Sequence, residues 1–161
     1  MSARGVGKMK NTYMAIMGSL MLLAIFFGCS GSRGERNISA PSGLLDCPDT
    51  PNCVSSLAKN PKYRVEPFIL RNDPQKSWDM VQKTIGSLPR TTLVTQSDTE
   101  IHAECRSMIF RFVDDLMAQL SPSKGIVNIR SASRNGYYDF GVNRRRIENL
   151  RKILRQNGVI E

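Results

Sequence analysis

One histidine, one tryptophan and four cysteines stand among 161 residues, and each scarcity removes a class of chemistry. A single histidine, His102, gives no cluster for a metal. Cys47 and Cys53 offer a C-x5-C spacing, whereas a zinc site uses C-x2-4-C with further ligands. There is no G-x-S-x-G elbow, so Ser55, Ser56, Ser131 and Ser133 have no frame that would make one of them a nucleophile with His102. EF-hand-like spacing and internal repeats are missing too. No metal and no cofactor is expected. Acidic residues are absent from the first 34 positions, although the chain holds 14 of them against 23 Lys and Arg, for a formal charge of +9.

That acid-free start carries a pattern of its own. Arg4, Lys8 and Lys10 precede an uncharged apolar run from Met14 to Phe27, the order of an export signal. As a helix the run rises only about 21 Å, short of the roughly 30 Å hydrocarbon core, which favours a signal over a span. Phe26-Phe27-Gly28-Cys29-Ser30 closes it, and Gly28-Cys29 resembles the lipobox at which bacteria acylate the cysteine and cleave before it. The two phenylalanines depart from the usual Leu-Ala or Leu-Ser. Acyl chains contribute about 0.8 kcal/mol per buried methylene, enough to hold a domain on a membrane. Residues 1–29 are thus expected to be a signal ending at a lipidated Cys29. Residues 30–45, rich in Ser, Gly, Arg and Asn, are expected to be a tether, and 46–157 a single domain. The expected place is the bacterial cell envelope, lipid-anchored and facing the periplasm. Ser30 rather than Asp after the cysteine favours the outer membrane in a Gram-negative host.

Removing the three signal cations leaves a charge of about +6, which suits anionic partners. Export disfavours nucleic acid and leaves an anionic envelope ligand or an acidic protein, besides the membrane itself. Disulfides persist in that compartment. Cys-Pro-Asp-Thr-Pro-Asn-Cys holds two prolines in a short turn, so Cys47 and Cys53 are expected to pair. Cys105 then stays free, as a buried apolar residue.

Within the domain, Asp73-Pro74 caps a helix that carries Trp78, Val81 and Ile85 inward and ends at Gly86 and Pro89. Strands are expected over Thr91–Thr95, Glu100–Arg106 and Met108–Val113, the last with Phe110 and Phe112 on one face. Leu116–Leu120 reads as strand or helical turn, and Gly125–Ser131 as strand. From Asn143 onward, Ile147, Leu150, Ile153 and Leu154 form one face of a final helix, with Glu148 and Lys152 paired outside. The expected fold is α+β in two layers, an antiparallel sheet of four to five strands with two helices on one face. Ile101, Ala103 and Cys105 would face the helices, and His102, Glu104 and Arg106 the other side.

Cys-Pro-Asp-Thr-Pro-Asn-Cys-Val-Ser-Ser (47–56), Phe-Arg-Phe-Val-Asp-Asp (110–115) and Arg-Ser-Ala-Ser-Arg-Asn-Gly-Tyr-Tyr-Asp-Phe-Gly-Val-Asn-Arg-Arg-Arg-Ile-Glu (130–148) occur in this order. Together they resemble the family called domain of unknown function 1499, over about residues 45–156. The resemblance implies an exported or membrane-associated bacterial domain, with plastid relatives and no established reaction. Two positions depart from it. Cys105 stands where a larger apolar or aromatic residue is usual, and Leu116-Met117-Ala118 replaces a common Val-Glu-Phe.

Candidate site residues cluster late in the chain. Asn143-Arg144-Arg145-Arg146 opens the last helix, where the macrodipole prefers acids, so an anion is expected to offset the arginines. One reading places Asp114, Asp115 and Asp139 there as partners of Arg130, Arg134 and Arg144 to Arg146, fixing the corner between sheet and helix. The other makes Arg130, Ser131, Ser133, Arg134, Asn143, Arg144 and Arg145, in a loop with Gly136 and Gly141, a pocket for a phosphate or carboxylate. Calcium or magnesium on Asp114, Asp115 and Asp139 is disfavoured by the neighbouring arginines. His102 is expected on the surface, and one of Tyr137 and Tyr138 beneath the loop. The sequence favours a non-enzymatic envelope binding domain. Its alternative is a periplasmic hydrolase or transferase acting on an envelope phosphate or glycan, with Asp114 or Asp115 as acid or base.

Overall fold

A computed structural model describes residues 46–161; the expected signal, Cys29 and the expected tether lie outside the described residues. In chain order come β1 (Cys53–Ser55), a 3-10 turn (Pro61–Tyr63), β2 (Phe68–Ile69), α1 (Pro74–Gly86), β3 (Thr91–Gln96), β4 (Glu100–Arg106) and β5 (Val113–Ser121). A second 3-10 turn (Pro122–Lys124), β6 (Ile126–Ser133) and α2 (Val142–Gln156) complete the fold. The sheet is antiparallel in the order β1-β6-β5-β4-β3, and β2 pairs with the far half of the β6 edge that β1 occupies. The α+β class and the two helices on one face are as expected. The two short edge strands, which bring the sheet to six, carry no pattern that a sequence reading can find.

Strand register places the chemistry. Side chains opposite one another share a face, so Ile101-Ala118-Ile129 and Ala103-Leu116-Ser131-Val54 form rows toward the helices. Onto these rows α1 packs Trp78, Val81 and Ile85, and α2 packs Ile147, Leu150 and Leu154. Each buried aliphatic or aromatic side chain contributes about 1.5–3 kcal/mol. Val159 and Ile160 join the same core, and Leu70 bridges to Ile160, so the chain is packed nearly to its last residue. The final row on this face, Cys105-Asp114-Ser133, turns polar where α2 begins.

Helix α1 starts as its residues dictate, with the Asp73 carboxylate accepting the Lys76 N–H at 2.9 Å and Pro74 in the first turn. Leu116–Leu120 lies within β5 and is strand, not helical turn. Met108–Val113 differs from its expected strand: residues 107–112 form the loop between β4 and β5, with Met108, Ile109, Phe110 and Phe112 exposed. Glu148 pairs with Arg151 at 3.1 Å, three residues on, instead of with Lys152. Among the described residues no helix is long and apolar enough to cross a membrane.

Candidate functional site

Asp114 and Asp115 are neighbours in β5 and point to opposite faces of the sheet. Asp114, 4% exposed, faces α2, where Arg146 Nη2 meets its carboxylate at 2.6 Å. The same guanidinium donates through Nη1 to Ser131 Oγ at 2.9 Å and to Asn143 Oδ1. Ser131 in turn donates to Asn143 Oδ1 at 2.6 Å, and both residues are fully buried. Asn143 Nδ2 faces the Asn52 carbonyl, Ser133 Oγ and Asp139 Oδ2, at 3.1, 3.0 and 2.9 Å. Asp139 also accepts the backbone N–H groups of Gly141 at 2.8 Å and Asn143 at 2.9 Å. The anion that the arginine-rich start of α2 calls for is therefore supplied within the chain, by Asp139 at the helix end and Asp114 from the sheet. Among the described residues no buried side-chain polar atom lacks a partner.

On the open face, Asp115 accepts two hydrogen bonds from one edge of the Arg134 guanidinium, with Nε at 3.0 Å from Oδ2 and Nη2 at 2.7 Å from Oδ1. His102 Nε2 lies 2.7 Å from Oδ1. Arg134 extends the chain to Glu104 at 2.7 Å, which also holds Arg106 at 3.0 Å. Burial acts to raise the Asp115 pKa, but the hydrogen bonds and charges of His102 and Arg134 outweigh it and hold the carboxyl below the usual carboxylate range. The Arg134 pKa is raised, chiefly by its hydrogen bond to Asp115. His102 occupies the face foreseen for it, yet it is 7% exposed and not a surface residue. Its pairing with Asp115 explains how a polar ring is buried there.

The remaining arginines bind backbone carbonyls. Arg130 Nε donates to Asp46 O at 3.1 Å, and burial lowers its pKa against the opposing pull of Asp115 and Asp46. Arg144 reaches Arg64 O at 3.0 Å and Lys62 O at 2.8 Å, while Arg145 reaches Phe140 O at 2.7 Å. Among the described residues none of these three forms an ion pair, whereas Arg134 and Arg146 both do. The guanidiniums of Arg130, Arg144 and Arg145 are thus fixed in direction by carbonyls, without a carboxylate in direct contact.

Arg144 lines a cleft of about 160 Å³ with Lys62, Tyr63, Tyr138 and Gly141, over Pro51 and Val54. Typical small-molecule pockets begin near about 300 Å³, so this volume suits a single headgroup such as a phosphate or carboxylate. Asp139 also borders it, with both carboxylate oxygens already accepting N–H groups. A second cleft, about 310 Å³, is bordered by Asp46 and Asp49 as well as Lys59 and is a poorer place for an anion. Ser131, Ser133 and Asn143 belong to the buried corner, and Arg130 and Arg134 to the open face, so only Arg144 of the foreseen anion-binding residues lines the cleft. Lys62 and Tyr63 went unnoticed because a 3-10 turn has no periodicity to read.

Cys47 and Cys53 are joined by a disulfide, with Cα atoms 5.7 Å apart, and Cys105 is free and buried toward the helices. Tyr137 and Tyr138 are both exposed; neither packs beneath the loop. Among the described residues no three His, Cys, Asp or Glu side chains converge as metal ligands would. A family model described as "Protein of unknown function (DUF1499)" matches residues 43–154. No curated protein and no solved structure matches the chain.

Proposed function

The chain belongs to the DUF1499 family, and from that premise we propose that it is a lipid-anchored cell-envelope domain that binds an anionic group, without transforming it, between Lys62 and Arg144. The carrying observation is the Arg144 guanidinium, oriented by the Arg64 and Lys62 carbonyls at the wall of a headgroup-sized cleft that Lys62 also lines. Arginine held in this way loses little freedom on meeting a phosphate or carboxylate. Tyr63 and Tyr138 supply apolar walls for what is attached to that group. The envelope placement draws on Arg4, Lys8, Lys10, the run Met14–Phe27 and Gly28-Cys29. The Cys47–Cys53 disulfide supports an oxidising compartment. Ser30 points to the outer membrane of a Gram-negative host, with the domain facing the periplasm. The ligand is then the phosphate or carboxylate of an envelope lipid or glycan, or of an acidic protein, and nucleic acid is not among the partners.

Titration of the full chain with glycerol phosphate, followed by chemical shifts, tests this reading. Saturable shifts are expected at Gly141 and Tyr138, weakened roughly tenfold in Arg144→Ala and in Lys62→Ala, since a charge-assisted hydrogen bond is worth at least that factor. A titration that leaves the wild-type cleft unmoved overturns it.

The His102–Asp115 pair supports a second reading, hydrolysis or transfer at an envelope phosphate or glycan. Its weakness is chemical: a carboxylate held at low pKa by Arg134 is a poor base. Turnover of a phosphoester and glycan panel that vanishes in His102→Gln would sustain it; no turnover would remove it.

A further inference from the structure

The β4–β5 loop is pinched at its base, with Ser107 N–H donating to Phe112 O and Phe112 N–H to the Ser107 hydroxyl, each at 2.9 Å. The residues between project as a tip on which Met108, Ile109 and Phe110 are 72%, 75% and 72% exposed. Phe112 stacks on Phe110 with ring centroids 5.6 Å apart. Tyr137, Tyr138 and Phe140 are exposed in the β6–α2 loop. Arg134 N–H bonds to Val113 O, so the second loop begins at the root of the first and both leave the same end of the sheet. Arg111 and Phe140 also hold left-handed backbone, at φ 54° and 55°, a strain that packing inside the domain does not repay because both side chains face outward.

Contiguous exposed apolar side chains mark a contact surface, and the surrounding charge selects what it contacts. Arg111 sits in the tip with Arg90 at its root, Arg106 beside it is held by Glu104 at 3.0 Å, and no acid occurs from Ser107 to Val113. A second copy docking tip to tip would set Arg111 against Arg111. An anionic bilayer accepts the aromatic and aliphatic side chains at its interface and the guanidiniums at its phosphates. The chain also enters the domain at this end: the disulfide ties Cys47 to Cys53, which pairs with Ala132 beside the close of β6.

We infer that the tip Met108–Phe112, flanked by Tyr137, Tyr138 and Phe140, inserts into the interface of an anionic bilayer as a second, non-covalent attachment. This rests on the membrane attachment proposed above and adds an orientation to it. The 18 peptide steps from Cys29 to Cys47 span at most about 60 Å, so a lipid on Cys29 does not by itself fix which end of the domain meets the bilayer. The tip does so by setting one end of the sheet onto the lipid.

The single tryptophan, Trp78, is fully buried and serves as a silent internal reference. Full-length Phe110→Trp is reconstituted into phosphatidylcholine–phosphatidylglycerol vesicles carrying brominated acyl chains, beside Ile69→Trp, which reports from the opposite end of β6. Expected are a blue shift and strong bromine quenching at position 110, neither at position 69, and loss of both when Ile109→Asp is added without change in thermal midpoint. Vesicle flotation separately reads whether the chain is attached at all. A chain that floats with position 110 unquenched overturns the tip and leaves the anchor standing. A blue shift without bromine quenching assigns the tip to a protein contact and likewise overturns insertion. Quenching that persists in a Cys29→Ala chain, which has no acyl group there, would support the tip as an attachment that does not need the anchor.

Discussion

Two adjacent aspartates divide their work because a strand alternates its faces. Asp114 and Arg146 form a buried pair at 2.6 Å, and removing one partner leaves the other charge stranded. Asp114→Ala and Arg146→Ala are each expected to cost about 3–5 kcal/mol, read as a fall in the urea midpoint. Arg144→Ala, whose contacts are carbonyls at the surface, should move stability by less than about 1 kcal/mol while weakening anion binding. Asp115 gives a pH signature. Its folded pKa lies below the unfolded value, so its contribution is complete above the unfolded carboxylate pKa and is lost as pH falls through the folded one. Wild type should exceed Asp115→Asn in stability at neutral pH, with the gap closing below about pH 4. A gap that persists unchanged into strong acid would show that the carboxylate charge is not what Arg134 and His102 hold.

At the scale of elements, the start of α2 depends on Gly141, whose φ of 75° favours glycine, while a Cβ there would meet only the movable end of the Arg145 side chain, at 3.1 Å. Gly141→Ala should cost about 1–2 kcal/mol in chemical denaturation, by left-handed strain alone. Reducing the Cys47–Cys53 loop should cost about 2 kcal/mol, since a short loop constrains the unfolded chain only modestly. Both helices and strands β4 and β6 were readable because period 3.6 and period 2 survive in their apolar residues. The tip Met108–Phe112 misled for a physical reason: β-propensity records fit to a half-buried surface, and an exposed aromatic loop uses the same residues. Strands β1 and β2 are too short to show any period. Of the corner network, Asp114, Asp139 and Arg146 were legible as charge partners, whereas Ser131 and Asn143 read as lining an anion pocket. Its separation from the Asp115 cluster was not drawn from the sequence, because it follows from which way each β5 side chain points. The cleft was half legible: Arg144 stood out as a charge at a helix start, while Lys62 and Tyr63 arrive from a turn distant in sequence.

At the scale of the whole molecule, the sheet has a helix-covered face that holds the core, an open face that holds the Asp115 ion pairs, and one end that gathers the chain entry and two aromatic loops. Such an arrangement suits the proposed function, a domain held at a surface with the proposed anion cleft near the same end of the sheet. The proposed attachment depends on Cys29. Intact mass of the protein extracted from membranes, with and without reduction and beside Cys29→Ala, tests it most directly. A mature chain beginning at acylated Cys29 with one closed disulfide is the predicted result; an uncleaved, fully reduced chain would contradict it.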